Sequence, residues 1–449
     1  MFARIASLLI PLLMFRPAAS AELTYPPKLS GGRKVATHTS PALLVPAATL
    51  KKGVKIAKTP PTVDFMYYPG QDYPGNPWSV WGDGPAVEGK YYSAIGDHKS
   101  PEGNAFVYEY DAETKQLRRV VDLRKVLGVP EGHYTPGKIH SRLDFGRDGW
   151  LYFSTHRGST RVALDPKNHF RGDWILRYHP QQEKTEIVAH APLPMQCLPC
   201  SQLDPDRLIF YAGTADGLNQ QKPQFLAYDV GRRKILYTDA YGPYRYLIFA
   251  RSTGMVYFHG NTSSPHARQG PAQLVRFDPR RPGPPVPISA ELGLRSATRE
   301  TPQGYVYTID HDALWAFNTK TEEAVLLGPS AVASMTYTTS IDADMKTGRY
   351  LYYVPGAHGG AERDGAPLVQ YDVKTRTRKV IAFLHPLLYR QHGYVPLGTF
   401  GSAVSPEGDK VYITLNGNRG TAPDQLDGRI RFNTCALAVI HVPEAERRP

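Results

Sequence analysis

Residues 302–328 read PQGYVYTIDHDALWAFNTKTEEAVLLG, and the fold follows from how this stretch is punctuated. A turn through Gly304 opens a six-residue run of aromatic and β-branched residues, Tyr305 to Asp310. A short polar break leads to a second run ending aromatic-Asx at Phe317-Asn318, and a polar turn then leads to a third run that stops at Gly328. Runs of this length and composition, separated by turn residues, read as successive antiparallel strands.

The opening turn and strand recur. VEGKYYSAIG (87–96), GRDGWLYFSTH (146–156), DPDRLIFYAG (204–213), STGMVYFHG (252–260), KTGRYLYYVPG (346–356) and PEGDKVYITLN (406–416) are six further copies, making seven. The aromatic-Asp run recurs with them at Tyr110, Tyr178, Tyr228, Phe277, Phe317 and Tyr371, at intervals of 40 to 68 residues. A supersecondary unit repeating at about 40–50 residues is the signature of propeller blades, so the expected fold is all-β: a single seven-bladed β-propeller of four-stranded antiparallel blades. The last unit stops at CALAVIHVP (435–443) with no fourth strand after it. The run TVDFMYY (62–68) is expected to supply that strand and close the ring, hiding the sheet edges. Residues 22–60 then form an extended arm and residues 61–449 the propeller.

Composition agrees. The 449 residues hold 40 Gly and 40 Pro, with 41% hydrophobic and 21% charged residues. That excludes a disordered or collagenous chain and breaks any long helix. The first 21 residues carry Arg4, an apolar run from Ile5 to Phe15 and a small-residue ending Ala19-Ser20-Ala21, the pattern of a signal peptide. The expectation is an exported protein, periplasmic or secreted, with no membrane span. The formal charge of +12 comes from scattered residues rather than runs. It suits an acidic glycan or another anionic ligand as readily as it suits mere solubility. A nucleic acid partner is not expected, and the protein is expected to be a monomer.

The repeat also says where function belongs. In an up-and-down blade, the starts of the inner strands and the ends of the second strands lie on one face and converge on the central channel. The inner-strand starts carry His133, Lys138, His140 and Arg142; Cys197, Cys200 and Ser201; Tyr244, Arg245 and Tyr246; and Arg295 and Arg299. The second-strand ends carry His98, His156, Arg157, Thr214, His259, Asn261, His311, His358 and Asn416. Each histidine taken alone reads as a satisfied loop residue. Together they fall on the mouth, where a preformed concavity admits ligands.

Two chemistries are open at that mouth. Cys197-Leu-Pro-Cys200 fits a local disulfide, a pair of thiols, or a divalent metal site, such as zinc, shared with His140 and His156. The absence of a following histidine excludes haem attachment. The second chemistry is β-elimination from a uronate, which needs a base, a group that neutralises the carboxylate, and an acid for the leaving oxygen. His140 or His156, Tyr246 or Tyr211, and Arg142, Arg245 or Arg251 fill these catalytic roles, with His98, Arg157, His259, Arg299 and His358 as substrate-binding candidates. The recurring Asp111, Asp229, Asp278 and Asp372 fall on the opposite face, where Asx turns account for them; a paired-carboxylate hydrolase is therefore disfavoured.

The stretches YYPGQDYPGNPWSVWGDG (67–84), KYYSAIGDH (90–98) and HYTPGKIHSRLDFGRDGWLY (133–152) resemble an exported bacterial seven-bladed propeller family without an assigned activity. More distantly, the chain is similar to the propeller-type polysaccharide lyases, the ulvan and oligogalacturonate lyases. That resemblance implies catalytic histidines at His140 and His156, a tyrosine and an arginine at Tyr246 and Arg245, and in some members a metal held partly by histidine. Two other readings stand beside the lyase: a non-catalytic carbohydrate- or protein-binding propeller, and a metal-dependent lactonase or oxidoreductase.

Overall fold

A computed structural model describes residues 23–158, 165–218, 220–260, 270–425 and 432–448. Seven antiparallel sheets succeed one another along the chain, four of whose strands are sequence-consecutive in six of them. The first blade is Ala86–Val87, Lys90–Gly96, Ala105–Asp111 and Gln116–Asp122. In the seventh, Tyr394–Val404, Lys410–Arg419 and Thr434–His441 are completed by Thr62–Tyr67, which pairs with Thr434–His441 from Thr62↔His441 to Tyr67↔Ala436. The ring is thus closed by an N-terminal strand, as the missing fourth strand of the last repeat requires. Residues ahead of it add two short edge strands. Ala36–Thr39 pairs antiparallel with Thr62–Tyr67, and Lys55–Ile56 lies parallel on Thr377–Phe383 of the sixth blade. The leader-like first 21 residues lie outside the described residues.

The aromatic repeat is the packing between blades. Tyr91, Tyr108, Tyr110, Tyr152, Tyr178, Tyr211, Tyr257 and Tyr371 are all fully buried, and rings meet across blade boundaries, as in Tyr91 stacked on Tyr412 at 5.1 Å and Tyr257 edge-on to Phe317 at 5.0 Å. The turns after the third strands are built as Asx turns. Asp111 accepts from the amides of Glu113 and Thr114, Asp278 from Arg280, and Asp372 from Lys374 and Thr375. Their closing residues, including Lys115, Glu322 and Arg376, adopt the left-handed conformation, which a polar two-strand turn with a bulge requires.

Phe65 is the anchor of the closing strand: it is wholly buried and its ring lies 4.9 Å from His392 and 5.2 Å from Tyr394. Phe65→Ala is expected to destabilise the ring by about 3–5 kcal/mol, the usual cost of emptying a buried phenyl site. Urea denaturation of the purified variant checks this; an unchanged midpoint would mean that the closing strand contributes little.

Candidate functional site

The mouth of the channel is organised around Trp81, which stands just ahead of the inner strand of the first blade. The backbone there is held from two sides. Ser79 exchanges both backbone hydrogen bonds with Gly96, and the Asn416 side chain of the seventh blade accepts from Val80 N at 2.8 Å and donates to Val80 O at 3.2 Å. Gly82 has no room for a side chain, since a Cβ there would lie 2.1 Å from the Ser141 carbonyl oxygen. The indole Nε1–H donates to Ser79 Oγ, which in turn contacts His98 Nε2 at 3.1 Å.

Around the indole ring gather the predicted histidines. His98, His140 and His358 have ring centroids 5.4, 5.9 and 5.5 Å from that of Trp81, and Phe400 lies at 4.3 Å. His156 follows at 5.8 Å from His140, because His156 N pairs with Lys138 O and so ties the second blade's inner-strand start to the end of its second strand. His156 Nδ1 accepts from Gly158 N at 3.1 Å, which places the ring proton of the neutral imidazole on Nε2. His140 Nδ1 is buried without a hydrogen-bond partner among the described residues.

Cations fill the remaining positions. The Lys138 ammonium sits 3.6 Å from the centre of the Trp81 ring, a close cation–π contact. Arg295 donates through Nε to the Tyr337 hydroxyl at 2.7 Å, and Arg245 through Nη2 to the Tyr244 hydroxyl at 3.1 Å. Among the described residues none of Lys138, Arg245 and Arg295 has a carboxylate partner. The consequence appears in the protonation of their neighbours. Burial first, and then Lys138 with the surrounding guanidinium groups of Arg157, Arg245 and Arg295, push His98, His140 and His156 well below the ordinary imidazole range. His358 is pushed down to about 3 by burial and then Arg295, and Lys138 itself is driven down by burial and the three arginines. The mouth therefore combines the fixed positive charge of Arg245 and Arg295 with neutral imidazoles around a narrow depression of about 20 Å³.

Beneath this floor lies a second layer of opposite character. Arg142 contacts Asp144 Oδ1 through Nε at 3.1 Å and donates to the Tyr246 hydroxyl at 3.1 Å. Tyr246 O–H lies 3.0 Å from Asp83 Oδ2 and 2.9 Å from the Ala297 carbonyl, and Ser340 donates to Asp83 Oδ1. Tyr246, named from sequence as an acid, has its hydroxyl engaged in this network and is raised well above the phenol range by burial and then by Asp83. Arg142 is engaged there too. Burial raises Asp83 to about 6 against the pull of Arg142.

The other predicted residues fall as follows. His98, His140, His156, His358 and Arg245 meet at the mouth, and Arg157 lies close enough to lower the imidazoles. His259 is held apart by the Leu292 carbonyl at 2.8 Å. Arg299 lies further down the fifth blade's inner strand, 3.4 Å from Asp342, and lines a separate cavity of about 330 Å³ with Asp144 and Glu300. Asn261 lies outside the described residues. Cys197, Cys200 and Cys435 are buried free thiols. Cys200 borders the mouth, whereas the Cys197 thiol is directed to Asp173. Among the described residues no three of His, Cys, Asp or Glu are arranged to hold a metal ion, and His140, His156, Cys197 and Cys200 do not form such a group. A dication at His140 and His156 would face the cations Lys138 and Arg245, neither of which has a carboxylate partner among the described residues, so the residues present do not fit a metal. Trp81, Tyr337, Lys138 and Arg295 complete the mouth; the first two were not named as site residues, although Trp81 occupies the same inner-strand start as His140 and Arg245.

No protein-family model matches the sequence, and no curated protein sequence matches it. Among solved structures, an oligogalacturonate lyase in complex with manganese is similar at 11% identity and a TM-score of 0.49, over 92% of this chain and 100% of that one. An oligogalacturonate lyase from Vibrio parahaemolyticus is similar at 12% identity and 0.47, again over 92% and 100%. The RRP9 WD40 repeats are similar at 9% identity and 0.49, over 88% and 100%. Likeness at this level reaches lyases and WD40 repeats alike and separates no activity from another.

Proposed function

We propose that the protein is an exported lyase that cleaves a uronate-containing polysaccharide by β-elimination at the propeller mouth. One observation carries this reading: Lys138, Arg245 and Arg295, unneutralised by any carboxylate among the described residues, converge with neutral imidazoles on the face of Trp81. An indole flanked by cations suits a sugar ring that bears a carboxylate. Arg245 and Arg295 would neutralise that carboxylate as charge builds on it when the neighbouring carbon loses its proton. His140, with a bare Nδ1, is the acceptor of that proton; the C–H electron pair forms the new C=C bond as the glycosidic C–O bond breaks. His156, with its proton on Nε2, donates a hydrogen bond to the departing oxygen, and the proton taken up by His140 is passed on to that oxygen. Atoms balance without a co-reactant: one proton leaves carbon, one reaches the leaving oxygen, and the product is an unsaturated uronate. No step is assigned to a metal.

Treating a panel of uronate polymers with the protein is expected to generate the ultraviolet absorbance of a conjugated unsaturated uronate. His140→Ala is expected to lower kcat/KM by about 10²–10⁴-fold, the span of a lost general base. Saturable binding with no absorbance on any polymer would replace the lyase with a glycan-binding propeller.

A further inference from the structure

We infer that the outer wall of the ring carries a second acidic-glycan site, a groove between the N-terminal arm and the first blade that holds a polyuronate chain outside the mouth. The groove offers about 900 Å³, at the upper end of the ~300–1,000 Å³ of ordinary small-molecule sites, and so has room for several sugar units. All of its charged lining residues are basic: Lys28, Arg33, Lys34, Lys115 and Arg118. Lys115 is matched by the buried Asp64 at 2.9 Å, and Arg118 by Glu109 and Glu183. Lys28, Arg33 and Lys34 are exposed and have no ion pair among the described residues. They leave an uncompensated positive edge along one side of the groove, while Met66, Tyr67 and Leu117 contribute apolar walls.

That combination selects a flexible, anionic polymer with apolar sugar faces. A membrane surface needs projecting apolar side chains, and the large exposed ones (Val45, Met195, Ile235, Tyr241, Val286, Val325 and Leu326) all lie away from the groove. Duplex nucleic acid presents its phosphates on a convex surface that a recessed groove does not match.

The backbone connects the groove to the mouth. Pro69 lines the groove, and the chain from there runs from the closing strand of the seventh blade to Trp81, ahead of the inner strand of the first. A four-stranded blade is about 14 Å across at 4.7–4.9 Å per strand, so one polymer chain can engage both places. Simultaneous engagement raises apparent affinity by mass action within the complex. This link rests on the function proposed above; binding in the groove does not.

The test compares affinities of the full chain for polygalacturonate, alginate and glucuronan with those for their dimers, in the native sequence and in Lys28→Ala/Arg33→Ala/Lys34→Ala. The ratio of polymer to dimer affinity is expected to fall at least about tenfold in the triple variant and further in Lys28→Ala/Arg33→Glu/Lys34→Ala, the direction that linked sites require. Because binding is read directly, this result stands even where no unsaturated product forms on any polymer, which would overturn only the lyase. Equal ratios in native and variant protein, no binding of any of the three polymers by the native protein, or equal retention of duplex DNA or phosphatidylglycerol vesicles would each overturn the groove as a glycan site.

Discussion

Moving from about pH 7.5 to about pH 5.5 is expected to lower the unfolding free energy by about 2–3 kcal/mol through the mouth and its buried carboxyls, as the sum of two opposed proton linkages, and further through His385 and His392, which burial pushes down to about 4. His98, His140 and His156 are held neutral in the fold by burial and by Lys138, Arg157, Arg245 and Arg295. In the unfolded chain they take up protons below about 6.5. The unfolded state then binds more protons, so stability is present above that value and is lost as pH falls through it. Three such groups amount to about 4 kcal/mol at about pH 5.5. His358 is left out because its side chain is substantially exposed, where solvent screens the effect. Asp83 and Asp173 work the other way. Burial raises both to about 6, so in the same window they gain protons in the folded state and return about 1.5 kcal/mol.

The sum has a clean check. His98→Gln/His140→Gln/His156→Gln removes the mouth's share of the imidazole linkage and leaves His385, His392 and the two carboxyls, so the urea midpoint of that variant is expected to fall less on acidification than that of the native protein. Parallel pH profiles in the two proteins would show that the mouth admits water and protons without cost, and would remove the neutral imidazoles from the proposed mechanism.

How much of this could be read in advance divides along a physical line. The blades were legible because turn, aromatic strand and Asx turn are local patterns, repeated seven times, and because a missing fourth strand demands a partner elsewhere. The circle of mouth residues was legible from topology: His140, His156, His98, His358 and Arg245 do meet. What the repeat does not encode is depth. Arg142 and Arg245 both stand at inner-strand starts, two residues beyond His140 and one before Tyr246, yet one side chain lies in the acidic layer and the other at the surface of the mouth. Which of them sinks depends on Asp83, Asp144 and Ser340, contributed by the first, second and sixth blades. No local pattern records that convergence. Trp81 was missed for a simpler reason. It precedes an inner strand of two residues, Ala86–Val87, too short to announce itself as the first strand of a blade.

The acidic layer supplies the other large effect. Arg142→Met is expected to cost about 3–5 kcal/mol near pH 7.5, the penalty for removing one partner of a buried ion pair while its counter-charges remain. Methionine keeps much of the volume, so the loss reports charge rather than a cavity. Arg142 is the cation in direct contact with Asp144, and it opposes the rise of Asp83. Without it Asp83 faces burial with hydrogen bonds alone and Asp144 with the Leu203 amide and the more distant Arg299, and both should hold protons to higher pH. A carboxyl whose folded-state value exceeds the ~3.9 of the unfolded chain favours folding at low pH and loses that benefit as pH rises. The gap between variant and native protein is therefore expected to shrink on acidification, even while the histidines lower the stability of both. Paired urea titrations at about pH 7.5 and about pH 5.5 measure it. Arg142→Met/Asp83→Asn/Asp144→Asn, which removes the charges together, is expected to regain most of the loss and to show no such narrowing. A constant gap at both pH values would mean that Arg142 acts through packing, and that the floor of the mouth is held by shape rather than by charge.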